Sequence, residues 1–128
     1  MQLFRDSSFI YYYNQTLLYV LMFFFHWLFD FVMQQGGDKK HEDNKILLYH
    51  VFYYSVMMTL VYSVLSYYLI LDINWWFFPV TFCSHLITDY ITSRINHKVL
   101  IKYGPGKKLV SHIGFDQWLH HAQLFLTI

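Results

Sequence analysis

His26 and Asp30 stand four residues apart in F-H-W-L-F-D, inside an otherwise apolar run. The same pair recurs at His85 and Asp89, and in reverse order at Asp116 and His120, with a lone His50 between them. On a helix, residues four apart share a face. Imidazoles and carboxylates are borderline-to-hard ligands that suit Zn, Fe or Mn. Helical bundles assemble such sites from i, i+3 or i, i+4 pairs on facing helices. His26, Asp30, His50, His85, Asp89, Asp116 and His120 are therefore read as the ligand set of a divalent metal. Seven ligands exceed one tetrahedral ion, so either two ions bind or one ion binds with Asp–His partners that orient the rings. A spare carboxylate, Asp30 or Asp89, is the expected general base. Gln34, Gln117 and Lys45 are candidates for orienting a ligand or meeting substrate. A single H-x-x-x-D pair would more simply be a hydrogen-bonded polar pair between helices. Three pairs and a histidine at one level favour the metal. Haem fits poorly, since two axial histidines leave three acids without a task.

These side chains need elements to hold them, and the apolar runs supply helices. The chain has 128 residues, 56% hydrophobic, 23% aromatic and 13% charged. Soluble domains are about 25% charged. The expected fold is all-α: one integral membrane domain over residues 1–128, a four-helix transmembrane bundle with a short fourth helix. Its spans are expected at residues 9–33, 46–71, 75–95 and 109–128. The first would rise roughly 37 Å, enough to cross a bilayer with tilt. Ser7 and Ser8 are expected to cap it, and Gly36-Gly37 to stop it. Pro79 falls in the first turn of the third span, where its missing N–H is tolerated.

The polar loops, residues 34–45 and 94–108, hold Lys39, Lys40, Lys45, Arg94, Lys98, Lys102, Lys107 and Lys108. The opposite side has only Arg5. The lysine and arginine bias places both loops in the cytoplasm. An inner (cytoplasmic) multi-pass membrane location follows. All seven candidate ligands then lie roughly 5–17 Å in from the cytoplasmic helix ends. Ionisable groups inside a membrane are costly and mark function. The remaining histidines read as bystanders: His41 and His97 solvated at loops, His112 interfacial, His121 on another face.

The lone Cys83 excludes an intrachain disulfide and a multi-cysteine zinc motif. No cleavage site follows the first apolar run, which is expected to remain as an uncleaved anchor. The lipid bilayer is the expected partner and nucleic acid is not. A homo-oligomer, with a second copy completing the bundle, stays open.

F-H-W-L-F-D-F-V-M-Q, the histidine of L-L-Y-H-V, S-H-L-I-T-D-Y and F-D-Q-W-L-H occur in that order. Together they resemble an uncharacterised bacterial and phage family of small multi-pass membrane proteins. That family's pattern is H-x-x-x-D-F-x-x-Q, a histidine, H-x-x-x-D and D-Q-x-x-H. It is distantly similar to the group named membrane-bound metal-dependent hydrolases. The resemblance implies a metal site on the seven residues above. It makes metal-dependent hydrolysis of a lipid-linked, anionic or other membrane-near substrate the leading expectation. A transporter component for protons or divalent ions is one alternative. A structural or phage-encoded interaction protein is the other.

Overall fold

The computed structural model describes residues 7–34 and 37–128, with the backbone alone for residues 37 and 38. Among them are four long helices and no strand. Helix α1 covers Ser7–Trp27 and runs directly into a π-helical turn, Leu28–Val32. A short 3-10 turn, Gly37–His41, leads to α2, Asn44–Tyr68. Helices α3, Phe77–Tyr103, and α4, Lys107–Thr127, complete the bundle. Ser8 lies inside α1, and whatever precedes Ser7 is outside the described residues, as is the expected helix stop at Gly36.

Two helical stretches, Ser7–Val32 and Asn44–Tyr68, are long and apolar enough by length and composition to cross a membrane. Helix α3 does not end near Ile95. It continues to Tyr103, so most of the expected second polar loop is helix and only residues 104–106 break it. Nothing in residues 94–103 is a glycine or proline, and Gly104 at φ 71° and ψ −178° takes an extended positive-φ conformation open essentially to glycine, which ends the helix. Helix α4 has 21 residues and rises roughly 31 Å, so it is not shorter than the α-helical part of α1.

The α2 start is capped by Asp43, whose Oδ1 accepts from the Lys45 N–H at 2.8 Å. Its end is less usual. Ile70 takes φ 55°, a conformation costly for a β-branched residue. The turn is held by several bonds. The Leu71 N–H donates to Ser66 O at 2.9 Å, and the Asn14 amide donates to Leu69 O at 2.8 Å. The Asn74 N–H donates to the Tyr62 hydroxyl at 2.9 Å, and its side-chain amide to Thr127 O at 2.8 Å. One end of the bundle is thus tied across all four helices.

The interior divides along its length. Towards that tied end, Leu18, Met22, Tyr54, Met58, Tyr62, Phe77 and Leu124 form a dry apolar core. Towards the other end, His26, Asp30, His50, His85, Asp89, Asp116 and His120 are all buried. Outside, Phe9, Tyr13, Val20, Phe24, Phe52, Leu60 and Val64 are each more than half exposed. Exposed apolar surface of that extent marks a face that meets other protein or a membrane.

Tyr62 is 1% exposed and stacks on Phe77 at 4.2 Å. Tyr62→Phe is expected to cost about 1 kcal/mol through the lost turn bond. Tyr62→Ala is expected to cost about 3 kcal/mol or more through the cavity. Thermal unfolding in detergent checks this order. Equal midpoints for the two variants would contradict it.

Candidate metal centre

Four helices bring the polar half together. The π turn is the first device. Its bonds run i to i+5, as in the Met33 N–H to Leu28 O bond at 2.9 Å. A π turn packs an extra residue into one turn and often marks a functional site. It carries Asp30, which is 4% exposed, towards α2 and α3.

Asp30 Oδ1, His50 Nε2, His85 Nε2 and Asp89 Oδ2 converge. His50 Nε2 lies 3.1 Å from Asp30 Oδ1 and 3.4 Å from Asp89 Oδ2. His85 Nε2 lies 3.5 Å from each of the same two oxygens. The two ring nitrogens are 3.3 Å apart. A tetrahedral ion with bonds of about 2.0–2.1 Å needs ligand separations of roughly 3.3 Å. These five distances match that requirement. Two imidazole nitrogens pointing at each other and at two carboxylates form a donor set that a divalent cation fits, and the four residues could hold one.

Asp89 belongs to a second group. Its Oδ1 is 3.1 Å from His120 Nε2, which is 3.5 Å from Asp116 Oδ1. Asp89, Asp116 and His120 could also hold an ion. Asp89 thus faces one group with each oxygen.

His26 stands apart from both groups. Its Nε2 donates to Gln117 Oε1 at 2.7 Å and its Nδ1 accepts from the Tyr54 hydroxyl at 2.6 Å. Asp30 Oδ2 is 3.9 Å away. With both ring nitrogens engaged, His26 orients Gln117 rather than offering a lone pair. Gln117 is the hub between the carboxylates, since its Nε2 donates to Asp30 Oδ2 and to Asp116 Oδ2, each at 3.1 Å.

Ring orientation is held mainly by stacking. Tyr54 stacks on His85 at 4.0 Å, and His85 on His120 at 4.2 Å. The Nδ1 atoms of His50 and His85 are buried without a partner among the described residues. Metal-bound histidines usually donate their second N–H, so this centre departs from habit there.

Lys45 does not reach the site; it is exposed at the α2 start. Lys40 does. It donates to Asp89 Oδ2 at 2.7 Å. With its amide turned to satisfy both ends, Gln34 accepts from Lys40 at 3.1 Å and donates to Asp30 O at 3.3 Å. Burial works against the Lys40 charge, but Asp89 and Asp30 outweigh it and raise its pKa above the ordinary lysine value.

Tyr54, Lys40 and Thr92 are site residues that spacing alone did not single out. Tyr54 follows His50 by four residues, so its face was legible. Thr92 follows Asp89 by three and donates to Asp116 Oδ1 at 2.6 Å. Lys40 sits in a charged loop, where no periodicity marks it. His41 and His97, expected to be solvated, instead stack on each other at 3.7 Å. His112 is exposed, and His121 stacks on Phe23 at 4.7 Å.

An ion in the first group would share Asp89 Oδ2 with the Lys40 ammonium, and like charges repel. Lys40→Met is expected to tighten metal binding roughly three- to tenfold, while Lys45→Met leaves it unchanged. Competition with a metal-indicator dye measures both. Weaker binding in Lys40→Met would show that the lysine supports the ion instead.

Comparison with protein-family models, with curated proteins and with solved structures finds no match to this chain.

Proposed function

We propose that this protein is a membrane-embedded, metal-dependent hydrolase that acts on an anionic substrate at the cytoplasmic surface of the inner membrane. The observation that carries the reading is the near-tetrahedral spacing of Asp30, His50, His85 and Asp89. It gains weight from a cavity of about 230 Å³ lined by Asp30, Asp116 and Gln117. Burying three carboxylates costs far more than a polar network returns unless positive charge accompanies them. Lys40 supplies one fixed positive charge beside them, and His50, His85 and His120 add charge only by taking up protons. The H-x-x-x-D and D-Q-x-x-H spacings along the chain fit the same reading. So do the two apolar helices and the exposed apolar faces.

A divalent ion, Zn, Fe or Mn, would supply a Lewis acid and activate water for attack. The chain's own residues do the rest. Asp30 and Asp116 are the carboxylates that line the cavity and can take a proton there. Asp89, the other base offered by the sequence, has Lys40, His50 and His85 around one oxygen and His120 at the other, and does not line the cavity. Its role is to join the two groups. Gln117 keeps the Asp30 and Asp116 carboxylates at a fixed separation, and His26 fixes the Gln117 amide. The apolar core of Leu18, Met22, Met58, Tyr62, Phe77 and Leu124 closes the far half of the bundle. A path for ions through the protein would have to cross it, which disfavours the transporter reading.

A purely structural network is the competing reading, and the closed hydrogen-bond set around Gln117 is what favours it. Elemental analysis of detergent-purified protein decides between them. Wild type is expected to retain a divalent metal, and Asp89→Ala to lose it. Chelation is expected to abolish hydrolysis of a phosphoester substrate, with recovery on adding metal back. Wild-type protein that is metal-free, folded and indifferent to added metal would leave only the structural network.

A further inference from the structure

The cavity beside the metal centre has a chemistry of its own. Asp30, Asp116 and Gln117 face it from the metal side. Lys40 and His41 contribute from the 3-10 turn, and Ser93, Asn96 and His97 from α3. None of these last five belongs to either metal group. Ser93 and Asn96 lie three residues apart, so they share a helix face. Ser93 Oγ and Asn96 Oδ1 are buried without a partner among the described residues. Buried polar atoms are nearly always paired, so two such atoms on one cavity wall point to something that enters. The stacked His41 and His97 rings line the same wall. An ammonium has three donors. Lys40 uses one on Asp89 and one on Gln34, which leaves a third.

The opposite side is apolar, with Phe31, Leu100, Leu109 and Ile113. Phe31 and Leu100 are 45% and 37% exposed, so this side opens outward. A site with a cation, hydroxyl, amide and imidazoles on one wall and aliphatic side chains on the other suits an anionic head on an apolar body. A carboxylate offers two acceptor oxygens, whereas a phosphate offers three and takes Lys, Ser and amide donors together. The volume accommodates a phosphate.

We infer that the Lys40–Ser93–Asn96–His97 wall is a phosphate-binding subsite, which makes the substrate a phosphate ester whose remaining group is apolar. The inference rests on the hydrolase reading for its catalytic meaning, but its binding chemistry is separate. Asn96 Oδ1 is an acceptor as it stands, so a phosphate is met only once the amide turns about its last torsion to present its N–H groups, while Ser93 rotates its hydroxyl to donate. The carboxylates of Asp30 and Asp116 would repel the same phosphate, so binding is strongest when a divalent cation offsets them.

The test is binding of inorganic phosphate to the detergent-purified full chain by isothermal titration calorimetry, beside Ser93→Ala and Asn96→Ala. Metal content is measured on each sample. Ser93 Oγ has no partner, so Ser93→Ala removes an unpaired buried hydroxyl and is expected to leave stability intact. Each variant is expected to weaken phosphate binding about tenfold or more with metal content unchanged. A second arm uses dihexanoyl phosphatidic acid. Tighter binding of this ligand than of inorganic phosphate is expected and assigns a lipid source, and equal binding overturns the apolar remaining group and leaves a site for free phosphate. Phosphate binding that disappears on chelation yet stays within twofold of wild type in both variants would overturn the subsite, because the metal alone then holds the anion. If wild type binds no metal, the hydrolase reading fails by itself. The variant comparison on that metal-free protein then still decides the subsite: variant-sensitive binding sustains it, and no binding overturns it.

Discussion

Three carboxylates and four imidazoles are packed into one half of a narrow helical bundle, and the rest of the structure answers to that. Asp30 and Asp89 are 4% and 1% exposed, where an uncompensated charge costs several kcal/mol or more. Each carboxylate oxygen is therefore surrounded. Asp30 meets His50 and His85 at one oxygen and Gln117 at the other. Asp89 meets Lys40 and two imidazoles at one and His120 at the other. Asp116 meets Thr92 and His120 at one and Gln117 at the other. No single helix could provide this, so the cluster is also what couples the four helices at that end.

The opposite half has a different logic. It holds an apolar core with a few buried polar side chains among it, Ser55, Ser66 and Thr81, and its end is closed by the bonds of a tight α2–α3 turn. The two halves are complementary. The apolar half packs the bundle behind the site. The polar half opens through a cavity between the 3-10 turn, α3 and α4.

Tertiary contacts also reassign residues of the same type. Among the lysines, Lys45 is exposed and Lys40 reaches Asp89. Among the histidines, His26 serves Gln117, His50 and His85 face each other, and His41 and His97 leave solvent to stack at the cavity wall. Composition treats these residues as equivalent. The direction of each helix face and the shape of the connecting turn make them different.

The number of helices, their order and the level at which the polar residues meet can be read from the amino-acid order. Apolar run length and the break at residues 104–106 are local, and local signals survive in a single chain. The i, i+4 spacing of His85 with Asp89 and of Asp116 with His120 likewise placed each pair on one face. Two local features were not legible. The π turn at Leu28–Val32 depends on how α1 packs, and residues 94–103 look like a polar loop because lysines and arginine occur as readily on an exposed helix as in a loop. Only the tertiary structure decided which ring nitrogen meets which carboxylate oxygen. It divided the seven candidates into a four-residue group, a three-residue group sharing Asp89, and an orienting His26. Ångström distances between side chains depend on helix rotation and crossing, and neither is encoded in the spacing of residues along one chain. The cavity wall of Lys40, Ser93, Asn96 and His97 arises in the same way. Its members come from two elements, and only packing brings them to one surface.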